Sequence, residues 1–193
     1  MSATPASSAR RDELLELAYR FALENGLAGL SLRPLAAAIG SSPRVLLFLF
    51  GSKDELVRAL LARARADELE ALDRLRATGA TTDLAAVAEE LWQWLAASEH
   101  RGLLILWVEG YARSLTEPEG PWADFARQTV ADWLELLATA QAPRRRASAR
   151  GASERTLILA VLRGALLDLL ATGERDRTTA AVNQQLEAFK QRV

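Results

Sequence analysis

Side chains that attack, ligate metals or relay protons are scarce in this chain. Its 193 residues include no cysteine and one histidine, His100. That inventory holds no thiol nucleophile, no catalytic triad, no metal-ligand cluster and no Gly-rich phosphate loop. Its 25 acidic residues alternate in sequence with 24 lysines and arginines, as on solvated helix faces. No enzyme site, no metal and no cofactor are expected. The residues left with directed chemistry are cations and hydroxyls, and the informative ones fall between Ser31 and Leu56. Arg44 could pair bidentately with guanine O6 and N7. Lys53, Arg33, Ser31 and Ser42 suit phosphate oxygens. For Arg44 the alternative is a solvated arginine touching phosphate alone. For Ser31 and Ser42 it is a plain helix cap.

The elements that must position these groups are legible in the stretch SLRPLAAAIGSSPRVLLFLFGSKDEL. Ser31 is placed as an N-cap. Leu32, Leu35, Ala36 and Ile39 recur at helical spacing. Gly40 can take the left-handed conformation that ends a helix. Ser42-Pro43 reads as N-cap and first helical residue, and Val45, Leu46, Leu49 and Phe50 give the second helix an apolar face. Ser52 and Glu55 have capping-box spacing at the start of a third, longer helix. Two short helices split by a glycine-containing turn of three to four residues make a helix-turn-helix.

Around this stretch the chain reads as all-α, with about nine helices and no strand pattern. Residues 1–8 are expected to be a disordered tail, 9–52 the helix-turn-helix domain, 53–77 a connecting helix and 78–193 a second domain. Leu56, Leu60 and Leu61 should face the head, with Leu69, Leu72 and Leu75 continuing an apolar line along a charged rod. Helices are expected at about 83–97, 99–115, 121–140, 153–172 and 177–191. The run QAPRRRASARGA, with Arg144, Arg145, Arg146 and Arg150, is expected to be a solvated, mobile loop. Net charge is −1. Residues 1–53 hold six cations against four acids, +2, leaving −3 for the rest, a weak polarity of the kind a DNA-binding end would have. No apolar run reaches the roughly 18 residues a membrane span needs. With no signal-peptide core at the start, a cytoplasmic protein without membrane contact is expected.

Gly40, Ser42, Leu46, Phe50, Ser52, Lys53 and Leu56 match, in register, the pattern G-V-S-x-x-x-L-Y-x-H-F-x-S-K-x-x-L, and over about residues 10–60 the chain resembles the TetR family of transcriptional regulators. Ser41 replaces the family's valine, Leu47 its tyrosine and Leu49 its histidine. The last two commonly hold the DNA backbone, and leucine cannot donate to phosphate. The resemblance implies a DNA-binding transcriptional regulator, more often a repressor. It also implies a homodimer on a roughly palindromic double-stranded operator, with Ser31, Arg33, Ser42, Arg44, Leu47 and Lys53 at the DNA. The alternative is a dimeric helical interaction module that has lost specific DNA binding, for which Leu47 and Leu49 are the support.

The resemblance further implies that the last two helices pair the subunits, through Leu157, Val161, Leu162, Ala165, Leu166, Leu169, Val182, Leu186 and Phe189. The bland reading is that these pack inside their own subunit. It implies as well a pocket for a small apolar or aromatic effector. Trp92, Trp107, Tyr111, Trp122, Phe125 and Trp133 could line it, with Glu109 and Arg113 as polar handles, though an aromatic stripe at helical spacing is equally plain core. Glu109 and Arg113, four apart, fit an i,i+4 ion pair. His100 is read as a surface or capping residue.

Overall fold

A computed structural model of the chain describes residues 5–78, 83–117 and 119–191. Expectations for residues 1–4, for the Leu75 side chain and for most of the Thr78–Thr82 boundary lie outside them. Ten helices are present and no strand occurs among the described residues: α1 Pro5–Asn25, α2 Leu32–Ala38, α3 Pro43–Phe50, α4 Lys53–Thr78, α5 Leu84–Leu95, α6 Arg101–Thr116, α7 Phe125–Thr139, α8 Pro143–Arg146, α9 Ala149–Thr172 and α10 Arg175–Lys190. Two expectations change at once. α1 begins at Pro5, inside the expected tail, because proline's missing N–H costs nothing at a helix start. α8 stands where a mobile loop was expected.

Packing divides the chain into two compact units that do not follow the expected boundary at 78. One comprises residues up to Asp67 together with Gly102–Ala126, and the other Glu68–Arg101 and the chain from Arg127 on. α6 therefore belongs with the head.

The head is built on one apolar core. Leu14, Ala18, Tyr19 and Ala22 of α1 meet Leu35, Ala36 and Ile39 of α2, Leu46 and Phe50 of α3, and Leu56, Val57, Leu60, Leu61 and Ala64 of α4. Leu106 and Trp107 of α6, with Trp122 and Phe125, close it. Glycine sets the ends of the short helices. α1 stops where Gly26 turns to φ 73° and donates to Ala22 O at 2.8 Å. α2 ends in a Schellman motif: Gly40, at φ 64°, donates to Ala37 O, and Ser41 N–H to Ala36 O at 2.8 Å. Polar contacts bind α1 to α4. Arg63 bridges Glu16 at 2.6 Å and Asp67, and the Tyr19 hydroxyl donates to Asp67 at 2.8 Å. Burial and the Asp67 carboxylate push the Tyr19 phenol well above its usual range.

The second unit packs α10 on α9 and α5, and α5 on α9. Trp92 is fully buried there, its indole N–H donating to Thr179 Oγ1 at 3.0 Å. The far part of α4 is less a solvated rod than its charges imply: Leu72 and Ala71 are buried, and the buried Glu68 accepts from the Trp133 indole N–H.

The basic run is an ordered corner. Arg145 forks onto Glu154, Arg150 reaches the same carboxylate at 3.3 Å, Arg146 Nε donates to Ala138 O at 2.7 Å, and Arg155 donates to the Gln141 side-chain oxygen. Arg145, chiefly by hydrogen bonding, holds the Glu154 carboxyl below the usual range. The corner is tight at Gly151, where a Cβ would lie 2.0 Å from Arg145 O.

Candidate nucleic-acid interface

α2 and α3 meet at a bend of 102° across the four residues 39–42, within the helix-turn-helix range of about 90–120°. Buried Leu46 and Phe50, one turn apart on α3, dock it on the core. That phase turns Arg44, Val45, Leu47 and Phe48 outward. Ser42 caps α3, its hydroxyl accepting from Val45 N–H at 3.2 Å, and is thus a cap first. Ser31 occupies the N-cap position of α2 in extended conformation, but its side chain makes no cap hydrogen bond, so its exposed hydroxyl stays available. At Ser52 half of the capping box forms. Its hydroxyl accepts from Glu55 N–H at 3.1 Å, while the Glu55 carboxylate turns to Arg58.

Arg33, Arg44 and Lys53 are exposed, one in the first turn of each of α2, α3 and α4, and no hydrogen bond or ion pair engages them among the described residues. Further cations stand in the second turn of α1: Arg10 pairs with Glu13 at 2.6 Å, and the Arg11 guanidinium lies 4.9 Å from the Phe50 ring centroid. Leu47 is 42% exposed, whereas Leu49 packs against the head core.

One residue at this surface was not singled out from the sequence. Phe48 is 81% exposed. In the run LLFLF hydrophobicity alone has no phase. The signal was positional: once Leu46 and Phe50 are taken as the docking pair, residue 48 falls about 200° from Leu46, on the opposite side of the helix.

The residues expected at the effector pocket divide between the units. Trp107, Glu109, Tyr111, Arg113, Trp122 and Phe125 lie in the head unit, and Trp92 and Trp133 in the other. The Trp107 and Tyr111 rings are 5.1 Å apart, and the Arg113 guanidinium lies 5.1 Å from the Trp122 ring centroid. The expected Glu109–Arg113 pair is replaced. Glu109 Oε2 accepts from Leu27 N–H at 2.6 Å, and Arg113 pairs with Glu117 at 2.9 Å while reaching Ala28 O at 3.4 Å. The free amide of Leu27 just after α1 takes the Glu109 carboxylate, which leaves Arg113 to the carboxylate one turn further on. His100 is a capping residue, its Nδ1 2.8 Å from Trp94 O and its ring stacked on Trp94. A cavity of about 490 Å³ opens in the second unit among Leu84, Gln141, Arg145, Glu154, Phe189 and Lys190. None of these was expected at an effector site.

The expected pairing face needs correction. Leu162, Leu166, Leu169, Val182, Leu186 and Phe189 are buried in the core of their own unit, and Val161 and Ala165 are half-buried. Only Leu157 among the nine is exposed. The open face of α9 is another stripe, Leu157, Ala160, Gly164, Leu167 and Ala171, at alternating three- and four-residue steps.

Residues 14–60 match the family model described as bacterial regulatory proteins, tetR family. An HTH-type transcriptional regulator of Mycobacterium tuberculosis is 32% identical over 132 residues, which cover 65% of this chain and 55% of that protein. The chain thus spans about half the length of the curated relatives it matches. A TetR-family transcriptional regulator from Cytophaga hutchinsonii superposes with a TM-score of 0.78 at 16% identity, over 96% of both chains. The multidrug binding protein EbrR, complexed with imidazole, superposes with a TM-score of 0.62 at 23% identity, over 91% of this chain and 89% of its own. These likenesses establish the fold, an N-terminal helix-turn-helix followed by a helical bundle.

Proposed function

We propose that this chain is a member of the TetR family of bacterial regulatory proteins and, from that premise, a sequence-specific DNA-binding transcriptional regulator, a repressor released by a small-molecule effector. The observation that carries the reading is the outward face of α3. Arg44 stands there exposed and uncommitted among the described residues, on a helix held at a 102° bend to its predecessor. Arg44 is the base reader. Arg33, Lys53 and Ser31 contact phosphate, and Ser42 and Leu47 also lie at the duplex.

The reading requires a homodimer whose two-fold axis matches a near-palindromic operator, with half-sites about 34–36 Å or a multiple apart. The pairing face is the stripe Leu157, Ala160, Gly164, Leu167 and Ala171. It is open, apolar and narrow-waisted at Gly164, where an added Cβ would meet nothing within 4 Å. Such a face suits an isologous contact between identical helices.

The effector is a small apolar or aromatic molecule. Trp107, Tyr111, Trp122 and Phe125 gather in the head unit, with Glu109 and Arg113 as polar handles. Both handles already reach the backbone at Leu27 and Ala28. A ligand that recruits them loosens the turn between α1 and α2, and its different affinity for the two states shifts the population.

The test is a mobility shift on DNA flanking the protein's own gene, across a salt series. Binding whose log affinity falls linearly with log salt is expected. Arg44→Ala should lose preference between sequences while folding and dimerising normally. Failure to retain any fragment of a genomic library at low salt would refute the reading.

A further inference from the structure

α3 presents more apolar surface outward than its packing uses. Leu46 and Phe50 suffice to dock it, yet Phe48 is 81% exposed, with Leu47 and Val45 beside it. A phenyl ring can neither donate to phosphate nor accept from a base edge. Neighbouring exposed apolar side chains of this kind mark contact surfaces. The same head carries free cations: Arg33, Arg44 and Lys53 sit in the first turns of three successive helices without partners among the described residues. An apolar helix face combined with uncommitted cations complements a duplex, whose grooves are walled by phosphates. The major groove offers one apolar group, the thymine C5 methyl. Arg44 and Phe48 are one turn apart on the same side of α3, so their Cβ atoms lie about 5–6 Å from each other. That spacing reaches adjacent or next-adjacent base pairs, which rise 3.4 Å per step.

We propose that this head recognises its half-site through thymine methyl groups, with Phe48 as the main contact and Leu47 beside it, next to a guanine held by Arg44. The inference rests on the DNA-binding reading above and names what that surface reads. A helix without hydrogen-bonding side chains beyond Arg44 then still discriminates, by methyl burial.

The experiment starts from the site that the full-length chain selects from a random duplex library. Each thymine of that site is replaced in turn by deoxyuridine, which pairs identically and lacks only the methyl. One or two positions per half-site should lose about fourfold in affinity. That is the loss for one buried CH₂-sized group, about 0.8 kcal/mol, at 1.4 kcal/mol per tenfold. Phe48→Ala should bind with the same salt slope but no longer distinguish thymine from uracil there, and Phe48→Tyr should keep the distinction. Circular dichroism confirms that the variants fold, as an exposed side chain allows. If the wild type binds selected duplexes with steep salt dependence yet ignores every thymine-to-uracil change, this inference fails and the DNA-binding reading stands. If no duplex is enriched at low salt, both fail. If Phe48→Ala leaves the preference intact but abolishes self-association or binding to anionic vesicles, the stripe is a protein or membrane contact and the inference is overturned.

Discussion

The proposed pairing face allows a test in which two leucines on one helix, five residues apart, give different results. Leu162 is fully buried in its own unit, and Leu167 is 52% exposed on the open stripe. Burying a whole leucine side chain contributes about 1.5–3 kcal/mol. The part of Leu167 still exposed is therefore worth about 1 kcal/mol in each subunit. In a two-fold dimer the residue occurs twice, so Leu167→Ala should weaken dimerisation by about 2 kcal/mol, roughly thirtyfold. Leu162→Ala should instead destabilise the fold by about 2–5 kcal/mol through the cavity it leaves, and affect pairing only through that loss. Gly164→Leu sharpens the contrast, because its two effects have opposite signs. Helix propensity favours leucine over glycine by up to about 1 kcal/mol, and the added side chain meets open space within the subunit. The isolated chain should gain stability while close approach of a second α9 is blocked. Sedimentation equilibrium over a concentration series reads the monomer–dimer midpoint, and urea unfolding under monomeric conditions reads the fold. A dimer constant unchanged by both Leu167→Ala and Gly164→Leu would refute the assignment of this face.

Two further outcomes follow from polar contacts. Glu109→Gln exchanges a charge-assisted hydrogen bond to Leu27 N–H for a neutral one, worth about 1 kcal/mol. Hydrogen exchange at the Leu27 amide should accelerate roughly fivefold, and unchanged protection would remove Glu109 as the latch on that turn. At the α8–α9 corner Arg145 depresses the Glu154 carboxyl below its ordinary range. A depressed carboxylate contributes stability that is complete above its unfolded-state pKa and lost as pH falls through the lower folded-state value. The loss should begin below about pH 4.3, the unperturbed glutamate value. Glu154→Gln should flatten that acid limb in urea unfolding measured from about pH 5 to pH 3, and a parallel limb in both proteins would contradict the assignment.

What was legible in the sequence is what local chemistry decides. Gly40 and Gly173 adopt positive φ, and each ends a helix where the sequence places an end. Ser42 and Pro43 start α3 as read. What was not legible depends on distant partners. QAPRRRASARGA has the composition of a loop and no apolar period, and its order comes from Glu154 and from the Ala138 carbonyl, neither within the run. Glu109 and Arg113 have the spacing of a pair, yet Glu109 is held by the Leu27 amide, some 80 residues away in sequence, and Arg113 turns to Glu117 and the Ala28 carbonyl.

The apolar parts of the two proposed contact surfaces were not legible for one shared reason. α3 and α9 carry leucine, valine, isoleucine, alanine or phenylalanine on nearly every side, so hydrophobicity marks no phase along them. On an ordinary amphipathic helix the apolar face is the core face, and pattern alone orients it. Here the apolar residues exceed what the core takes up, and orientation has to come from the neighbours that bury one side. The residues left over, Phe48 on α3 and Leu157 and Leu167 on α9, are apolar where folding alone favours polar ones. That local conflict with the folding pattern is itself the functional signal. It supports the two faces proposed above, α3 for a duplex and α9 for a second copy of the chain, without relying on the net charge, which at −1 argues for neither.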